Sequence, residues 1–383
     1  MINLFQVIGS LEPGGAERLV VNLLLHHDRT RYQPFCICLR DPQNSHYEQI
    51  LHQHNIPIYF LGKKGDQMDW ATYRRLAELF REYRPQVVHT HLRGLSYAYP
   101  LMIRYRTPVL VHTIHSVAHK DLPLRGVGRL AWVLSFRYRV GGVVPVAIAE
   151  EVQRTIEQVY GYKQAPLIPN GIPTHEYAPD TEKRLCWRQA NRIEAEAIVV
   201  VSVGRLVPSK NHALMLNAFS RVRSASPLYL LLVGGGELED MVRKQIEELG
   251  LAARVRMLGV RADIPDVLNA SDVFVLSSEW EGNPMSVQEA MASGLPVVST
   301  AVGGVPELLQ DGVSGLLVPS GDEQALAHAL QRLVDDAPLR QQMGAAGLAR
   351  ARANFDITNT VRMYEALYER IMKGKRLLSP SQQ

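Results

Sequence analysis

The feature that most constrains the fold of this chain is a regular alternation between short apolar runs and amphipathic helical segments. The runs are rich in β-branched residues and are continuously apolar, which is typical of strands buried inside a parallel sheet. Two series of six runs are present, at residues 3–9, 35–39, 57–61, 86–91, 109–115 and 143–149, and at residues 197–204, 229–235, 254–259, 272–278, 295–300 and 315–318. Helical patterns, such as 16–27 and 70–83, separate the runs.

Two such series in a chain of 383 residues predict two domains, because a single hydrophobic core rarely grows to this size. The predicted fold class is α/β, with two Rossmann-like doubly wound domains facing each other across a cleft. We place the N-terminal domain at residues 1–168 and the C-terminal domain at 169–354, followed by an amphipathic helix at 355–373. A segment rich in Pro, Gly and Asn at 166–179 is the predicted hinge.

Charge and cysteine content narrow the classes of function. Residues 1–173 contain 20 Lys and Arg against 13 Asp and Glu, a net charge of +7, whereas the other 22 basic and 25 acidic residues give −3. A basic half is typical of proteins that bind nucleic acid, an anionic membrane or a phosphorylated ligand; scattered solvating charge is the alternative. Three cysteines without a Cys-x-x-Cys pair predict a reducing compartment and no zinc ribbon. The N-terminal sequence predicts no signal peptide, and no apolar run is long enough to cross a membrane.

Ligands of doubly wound sheets bind beyond the carboxyl ends of the strands, so the strand-to-helix turns are the candidate sites. The first turn, GSLEPGGAER at 9–18, places Gly14 and Gly15 at a predicted helix start, where glycine permits positive φ and free amides attract anions. A P-loop would need Lys at Gly15 and Ser or Thr at Ala16, so nucleoside triphosphate binding is not predicted. A plain tight turn is the alternative.

The turn VSVGRLVPSKNH at 201–212 carries two cations after the predicted strand end at Gly204. Arg205 offers a planar fork and Lys210 a point charge, and both lie beside a helix start. This combination suits a diphosphate. Two solvated surface charges are the alternative.

The stretch EWEGNPMSVQEA at 279–290 contains two carboxylates, Glu281 and Glu289, around another predicted helix start. Asn283 is a good N-cap residue and Pro284 suits the first helical position. The carboxylates could accept hydrogen bonds from sugar and ribose hydroxyls, or they could only complement the helix dipole.

Three further turns repeat this arrangement. Gly303 and Gly304 precede a helix in STAVGGVPELLQDG, so that backbone amides would face the predicted cleft. Gly259 ends a strand in RMLGVR, where neighbouring backbone groups could contact a nucleotide base. The three glycines in VGGGELE at 233–239 either allow a ligand to approach the backbone or only ease a turn.

Histidines lie near the ends of two predicted strands, His89 and His91 on one, His112 and His115 on the next. His89 and His91 could supply two metal ligands, but no carboxylate or cysteine cluster completes the set, and no Asp-x-Asp occurs. The sequence therefore predicts no metal site and no cofactor.

Four motifs, taken in order, resemble those of glycosyltransferase family 4 (group 1). They are GGAE (14–17), GRL with a lysine (204–210), the two glutamates eight residues apart (281–289) and GGVPE (303–307). The resemblance extends over nearly the whole chain, and the combination is specific although each motif alone is not. It implies a GT-B enzyme, a metal-independent hexosyltransferase that moves a sugar with retention from a nucleoside diphosphate sugar to a glycan or lipid-linked acceptor. It also favours UDP over GDP and a bacterial cell-surface polysaccharide or glycolipid pathway.

The resemblance implies a role for each site residue. Arg205 and Lys210 would bind the donor diphosphate. Glu289 would bind the ribose hydroxyls and Glu281 the donor sugar, so the two carboxylates would hold the donor rather than act as acid and base. His115 would touch the donor sugar from the N-terminal domain. The remaining donor-binding positions would be Gly14, Gly15, Gly204, Gly259, Gly282, Asn283, Pro284, Met285, Ser286, Gly303 and Gly304.

A basic amphipathic stretch at 121–142 combines Trp132 and Phe136 with four arginines, namely Arg125, Arg129, Arg137 and Arg139. Such a stretch suits an anionic membrane surface, through which the resemblance implies access to lipid-linked acceptors; a helix with an ordinary cationic outer face is the alternative. The expected location is the cytoplasm, with peripheral association at the inner face of the membrane. No nucleic-acid partner is expected. The resemblance also implies that helix 355–373 crosses back to the N-terminal domain.

Other classes of function compete with this prediction. An NAD-dependent oxidoreductase shares the doubly wound sheet, but the first turn lacks G-x-G-x-x-G. A nucleotide-sugar epimerase shares the fold, and a glycoside phosphorylase would need a pyridoxal phosphate lysine, for which no distinctive site is present. A non-catalytic sugar-nucleotide binder is opposed by the intact set of Arg205, Lys210, Glu281 and Glu289.

Overall fold

The computed structural model describes residues 1–65, 67–118 and 127–378, and these form two compact units. The first unit contains Met1–Gly171 and Ile357–Gln383, and the second contains Ile172–Asp356. The chain therefore passes into the second unit after Gly171 and returns to the first after Asp356.

Each unit is built on a parallel sheet of six strands. The strands of the first unit are β1 (Ile2–Ile8), β2 (Tyr32–Cys38), β3 (Ile58–Phe60), β4 (Val87–His91), β5 (Val109–Ile114) and β6 (Val143–Ala147). Those of the second unit are β7 (Ile198–Val203), β8 (Leu228–Val233), β9 (Val255–Gly259), β10 (Val273–Leu276), β11 (Val297–Thr300) and β12 (Gly315–Val318). Each of the twelve apolar runs in the sequence thus forms a strand.

Helices follow almost every strand. Along the described chain they are α1 (Gly15–His26), α2 (His46–Gln53), α3 (Trp70–Tyr83), α4 (Gly94–Tyr105), α5 (Val127–Arg139), α6 (Glu150–Tyr160), α7 (Thr181–Ala190), α8 (His212–Arg221), α9 (Glu239–Glu248), α10 (Ile264–Asn269), α11 (Met285–Ala292), α12 (Val305–Leu308), α13 (Glu323–Asp335), α14 (Ala337–Asn354) and α15 (Ile357–Leu378). Two short 3-10 turns lie at Thr174–Tyr177 and Pro208–Lys210.

The two sheets share one strand order. The first sheet runs β3-β2-β1-β4-β5-β6, and the second, read from its β9 edge, runs β9-β8-β7-β10-β11-β12. In both, the order reverses between the first and the fourth strand of the unit, which is the switch point where doubly wound sheets bind ligands. The predicted α/β class with two Rossmann-like domains is confirmed.

Both sheets are buried because their strands are apolar on both faces. In the first unit one hydrophobic core lies under α3, α4 and α6, and a second lies under α1 and α2 on the other face. In the second unit the core of β7, β8 and β10 is covered by α8, α9 and α13. Among the described residues, no helix combines the length and the hydrophobicity needed to cross a bilayer.

The last helix, α15, completes the first unit. It packs against α1 and β5. Its residues Tyr364 and Tyr368 are fully buried, and the Tyr364 hydroxyl lies 2.8 Å from Oγ1 of Thr113 at the end of β5. A segment that is last in the sequence therefore supplies part of the core beneath the first sheet.

Candidate functional site

The turn after β10 in the second unit is organised by the carboxylate of Glu281. Its Oε1 accepts hydrogen bonds from Nζ of Lys210 at 2.5 Å and from Oγ of Ser278 at 2.6 Å. The side chains of Lys210 and Glu281 are only 20% and 10% exposed, so little water competes for this ion pair. Charge-assisted bonds of this kind are stronger than neutral ones, and they hold the Lys210 ammonium in one place.

The backbone on both sides of this ion pair is also fixed. Oγ of Ser277 donates to the carbonyl oxygens of Lys210 and Asn211, both at 2.9 Å. The amide of Glu279 donates to the carbonyl of Ser209 at 2.9 Å. The turns after β7 and β10, which flank the switch point of the second sheet, are therefore joined into one rigid edge.

Arg205 lies in the same turn as Lys210 but is not held by a carboxylate. Its side chain is exposed, and no acidic residue of the described chain forms an ion pair with it. A fixed ammonium and an available guanidinium thus occupy the carboxyl edge of the second sheet. An anion with several oxygens would satisfy both.

Gly303 is required where the turn after β11 meets the turn after β10. It has φ +55, and a Cβ atom on it would lie 1.8 Å from the carbonyl oxygen of Glu281. The next amide, that of Gly304, donates to the carbonyl of Gly282 at 2.9 Å. Side chains are excluded from position 303 because the two turns are in backbone contact, and this contact holds Glu281 at the sheet edge.

The glycines around β8 have a comparable role. Gly234 (φ +138) and Gly236 (φ +158) lie so close to the carbonyls of Gly204 and Leu206 that a Cβ atom would approach to 2.0 and 2.4 Å. The amide of Gly234 donates to the carbonyl of Gly259, which itself has φ +67. These glycines pack backbone against backbone beneath the cationic turn that carries Arg205.

The start of α11 differs from the sequence prediction. Asn283 was expected to be the N-cap and Pro284 the first helical residue, but Pro284 is the N-cap, with extended ψ of 114, and the helix begins at Met285. Oδ1 of Asn283 accepts a hydrogen bond from Nε2 of Gln288 at 2.7 Å, and so does not cap the helix. The helix thus begins one residue later than predicted, and the Asn283 side chain bonds to Gln288 inside the helix. Ser286, the second helical residue, is half-buried.

Glu289 lies on the second turn of α11 and is 5% exposed. Its carbonyl oxygen accepts hydrogen bonds from the amide and Oγ of Ser293, both at 3.0 Å. The structure therefore places Glu281 and Glu289 on one turn-and-helix segment, both buried, with Glu281 committed to Lys210.

The glycine turn of the first unit is simpler than the sequence suggested. Gly14 is extended, with φ −169, and caps α1, which begins at Gly15. Neither glycine uses the positive φ that glycine permits. A Cβ atom on Gly14 would lie 2.3 Å from Oε2 of Glu17, so Gly14 gives room to that carboxylate in the first turn of α1.

His115 follows β5 and is connected to a buried chain of side chains in the first unit. Its Nε2 lies 2.9 Å from Nδ1 of His91, and Nε2 of His91 lies 2.8 Å from Oε1 of Gln6. Burial, and then His112, lowers the pKa of His115 to about 3. Burial also lowers the pKa of His91 well below its usual value. These imidazoles are therefore neutral at physiological pH.

Sequence reasoning missed several residues that organise the two edges. Ser278, Thr300 and Gln6 are buried, and Thr300 Oγ1 donates to the carbonyl of Ser278 at 2.6 Å. Each is a polar residue inside, or directly after, an apolar strand, and that position was the available signal. His91 was considered only as a metal ligand. Among the described residues, no three His, Cys, Asp or Glu side chains converge as a metal site.

The predicted site residues fall into two sets. Gly14, Gly15 and His115 belong to the carboxyl edge of the first sheet, and the other thirteen belong to the second unit. Within the second unit, direct contacts join Lys210 to Glu281, Gly303 to Glu281, and Gly304 to Gly282.

Comparison with known proteins identifies this architecture. Residues 184–350 match the family model "Glycosyl transferases group 1", and residues 13–176 match the model "Glycosyltransferase Family 4". The two matched ranges correspond closely to the second and the first unit.

Two curated relatives align with this chain over about 70% of their length. The chain is 31% identical over 306 residues to the D-inositol 3-phosphate glycosyltransferase of Corynebacterium diphtheriae, covering 74% of this chain and 70% of that protein. It is 29% identical over 275 residues to the UDP-Gal:alpha-D-GlcNAc-diphosphoundecaprenol alpha-1,3-galactosyltransferase of Escherichia coli, covering 70% and 71%.

A solved structure shares the fold. Alr3699/HepE of Anabaena, crystallised in complex with UDP and glucose, superposes with a TM-score of 0.83 over 96% of this chain and 100% of that chain. The sequence identity is 23%, so the likeness is one of fold.

Proposed function

Because the chain belongs to the group 1 glycosyltransferases of GT-B type, we propose that it transfers a hexose from a nucleoside diphosphate sugar, with UDP preferred to GDP, to a glycan or lipid-linked acceptor. The observation that carries the proposal is the cationic edge of the second unit, where Lys210 is held by Glu281 and Arg205 is exposed. The choice of base is supported by the E. coli relative, a UDP-Gal-dependent galactosyltransferase, and by the Anabaena protein, which was crystallised with UDP.

Arg205 and Lys210 would stabilise the departing diphosphate. Bond cleavage leaves negative charge on the β-phosphate, and cations already in position lower the barrier without reorganising at the moment of reaction. Glu281 orients Lys210 through Oε1. Its Oε2, which bonds to no described residue, would accept a hydrogen bond from a hydroxyl of the donor sugar. The amides at the start of α11 add partial positive charge to the same edge.

Glu289 would hold the ribose hydroxyls of the donor. Its burial on α11 suits a carboxylate that accepts bonds from a bound ligand instead of exchanging protons with water. We further propose that transfer needs no metal, because the two cations can neutralise the diphosphate. We also propose that transfer retains the anomeric configuration, as the family resemblance implies. The expected pathway is bacterial cell-surface polysaccharide or glycolipid synthesis.

A thermal-shift panel tests the donor class. UDP, GDP, ADP, CMP and NADH are each added to the wild type, Arg205→Ala and Glu289→Ala, with Lys244→Ala as a surface control. A ligand at 100 times its dissociation constant stabilises the folded state by about 2.7 kcal/mol, which is easily seen as a rise in Tm. We expect UDP to give the largest shift and both site variants to lose it. A shift with NADH alone would restore the oxidoreductase alternative.

Metal dependence and stereochemistry have direct readouts. Transfer assayed with and without excess EDTA should proceed at the same rate. The anomeric configuration of the product, read by proton NMR coupling constants, should match that of the donor. Inversion, or loss of turnover with EDTA, would reject the corresponding part of the proposal.

The acceptor side of the proposal concerns α5. Residues 121–126 of the predicted membrane stretch lie outside the described residues. Trp132 and Phe136 are 70% and 50% exposed, with their rings stacked at 6.2 Å, and Val140 is 72% exposed one turn later. Arg137 departs from the prediction, since its guanidinium lies over the ring of Tyr99 at 4.8 Å and does not belong to an outer cationic face.

We therefore propose peripheral membrane association through the aromatic residues of α5. Sedimentation with vesicles containing anionic lipid should retain the wild type, and Trp132→Ser/Phe136→Ser should bind at least about tenfold more weakly, because two large apolar side chains no longer insert. Trp70→Ser, which alters another tryptophan with an exposed fraction of 71%, is the matched control. Equal binding of all three proteins would overturn the assignment.

A further inference from the structure

We propose that Gln6 and His91 are positioning residues that fix the tautomer of His115, so that His115 offers its Nδ1 lone pair to a hydroxyl of a sugar ligand at the carboxyl edge of the first sheet. The identity of the ligand rests on the proposed function, whereas the tautomer is a property of the protein alone. These three side chains form the Gln6–His91–His115 relay, which runs from β1 through β4 to the residue after β5.

The direction of the relay follows from its first member. Oε1 of Gln6 is a carbonyl oxygen and cannot donate, so Nε2 of His91 must carry the proton in the 2.8 Å bond between them. His91 is neutral, and a neutral imidazole carries one proton, so its Nδ1 is an acceptor. The 2.9 Å bond to His115 then requires the proton on Nε2 of His115. His115 is also neutral, which leaves Nδ1 as a lone pair.

Among the described residues, His91 has hydrogen-bond partners only in Gln6 and His115. Gln6 and His91 are both fully buried. The ring of His89 lies against that of His91 with centroids 4.2 Å apart, while its own nitrogens lie 2.7 Å from the Tyr368 hydroxyl and 2.7 Å from Thr113 Oγ1. His89 is therefore occupied on both sides, and it does not compete for Gln6.

The end of the relay is the part that can meet a ligand. His115 is half-buried, and no described residue hydrogen-bonds to its Nδ1. It lies after β5 on the same sheet edge as the turn that contains Gly14 and Gly15. The titratable groups around it, His89, His91 and His112, all have lowered pKa values because they are buried.

This arrangement gives His115 a defined chemical role. With a pKa of about 3 it is a poor general base at neutral pH, but it is a good hydrogen-bond acceptor over the whole physiological range. A site that accepts a hydrogen bond from one hydroxyl group discriminates against a ligand that lacks this hydroxyl. The tautomer matters because an Nδ1–H would instead repel that hydroxyl proton.

The test uses two variants that both branch at Cγ. In His91→Asn an amide oxygen replaces Nδ1 as the acceptor for His115, whereas His91→Leu has the same shape without an acceptor. Nitrogen-15 NMR of histidine-labelled full-length protein reports which ring nitrogen carries the proton, and His115→Gln identifies the signals of His115. We expect Nε2–H in the wild type and in His91→Asn, and a mixture of tautomers in His91→Leu.

Either of two results would overturn the relay. One is a proton on Nδ1 of His115 in the wild type, as would follow if the Gln6 amide were turned over. The other is an unchanged tautomer in His91→Leu. If His91→Leu does not fold, Gln6→Met, which removes the carbonyl at similar volume, takes its place and should likewise give a mixture.

Kinetics then separate the relay from the proposed function. Where the wild type transfers sugar, His91→Leu should lower kcat/KM by about tenfold, the size expected for one misplaced neutral hydrogen bond, and His91→Asn should restore it to within about threefold. A wild type that shows the expected tautomer but no transfer with any nucleotide sugar would reject the proposed function and leave the relay standing.

Discussion

The two units have the same strand order, yet their sheet edges are built from different chemistry. In the second unit the edge is charged, with Lys210 bonded to Glu281 and Arg205 exposed beside them. In the first unit His91, at the end of β4, and His115, after β5, are neutral imidazoles with lowered pKa values.

Under the proposed function, this difference would let one fold serve two purposes. A diphosphate requires fixed positive charge, which the Lys210–Glu281 ion pair would provide at the switch point of the second sheet. An uncharged part of a substrate requires directed hydrogen bonds, which neutral imidazoles would provide without introducing competing charge. The difference can be tested by comparing the two units directly, and by comparing changes at the charged edge of the second unit with matched changes elsewhere in that unit.

Acidification should give the largest difference in stability between the two units. Burial lowers the pKa of His112 to about 4 and of His115 to about 3, and lowers those of His89 and His91 well below 6.5. In the second unit His212 is the corresponding group, with its pKa lowered by burial to about 4. The unfolded chain therefore binds more protons than the folded one as pH falls through about 6.5, so stability is present above this pH and is lost below it.

Each such histidine removes about 1.4 kcal/mol of unfolding free energy between pH 7.5 and 5.5. The four histidines of the first unit should therefore lower its free energy of unfolding by about 5 kcal/mol. His212 should lower that of the second unit by about 1.4 kcal/mol. Hydrogen exchange measured by mass spectrometry, corrected for intrinsic rates, should show β4 and β5 losing protection before β7 and β10. Equal loss in both units would contradict the difference in chemistry.

The glycine at the junction of the second unit should give the next largest effect. Gly303→Ala places a Cβ atom 1.8 Å from the carbonyl oxygen of Glu281 and requires φ +55 of a residue with a side chain. We expect about 3 kcal/mol or more of destabilisation, from backbone displacement and left-handed strain together. Urea denaturation measures it.

The control for this change is Gly312→Ala. Gly312 also has positive φ, +73, but a Cβ atom there would meet nothing within 4 Å. It should lose only about 1 kcal/mol, the cost of the left-handed conformation. Similar losses for both variants would mean that the contact between the two turns does not stabilise the edge.

Removing the half-buried ammonium of Lys210 should reduce catalysis more than stability. Lys210→Met deletes the partner of Glu281 and one cation of the proposed diphosphate site. We expect kcat to fall by about 100-fold to 1,000-fold, as for the loss of one group that stabilises charge in the transition state. Steady-state kinetics with the donor found by the thermal-shift panel measures this.

Lys244→Met is the matched surface change, because Lys244 pairs with Glu248 at 3.4 Å with both side chains more than half exposed. Its kcat should stay within about twofold of the wild type, since exposed ion pairs contribute little. If both variants lose activity to the same extent, charge position at the sheet edge is not what matters.

The smallest effects should come from single neutral hydrogen bonds in each unit. Tyr364→Phe removes the hydroxyl that contacts Thr113 at 2.8 Å in the first unit, and Thr300→Val removes the bond to the Ser278 carbonyl in the second. Each should cost about 1 kcal/mol in urea denaturation. Only Thr300→Val should also lower kcat, because Ser278 bonds to Glu281.

The positions of the strands could be predicted from the sequence because burial on both faces leaves a continuous apolar run. The run at 197–204 became β7 (Ile198–Val203), and even the short run at 315–318 became β12 (Gly315–Val318). The start of α11 could not be predicted by the same local rules. Asn283 is a favourable N-cap in isolation, but its side chain bonds to Gln288.

The residue types of the candidate site were also visible in the sequence, since cations, carboxylates and glycines at strand ends are typical of ligand-binding turns. The partners of these residues were not. Lys210 and Glu281 are 71 positions apart, and their contact depends on β7 lying beside β10 in the sheet.

The sequence by itself thus determined the fold class, the positions of the strands and which turns carry charge, because these follow from patterns within a few residues. Only the tertiary structure decided that Glu281 bonds to Lys210, that Gly303 must be glycine, and that Gln6, His91 and His115 form one relay. The physical reason is that each of these contacts joins residues in, or directly after, different strands or strand-to-helix turns. Their proximity is set by strand order and by backbone packing, for which no local pattern exists.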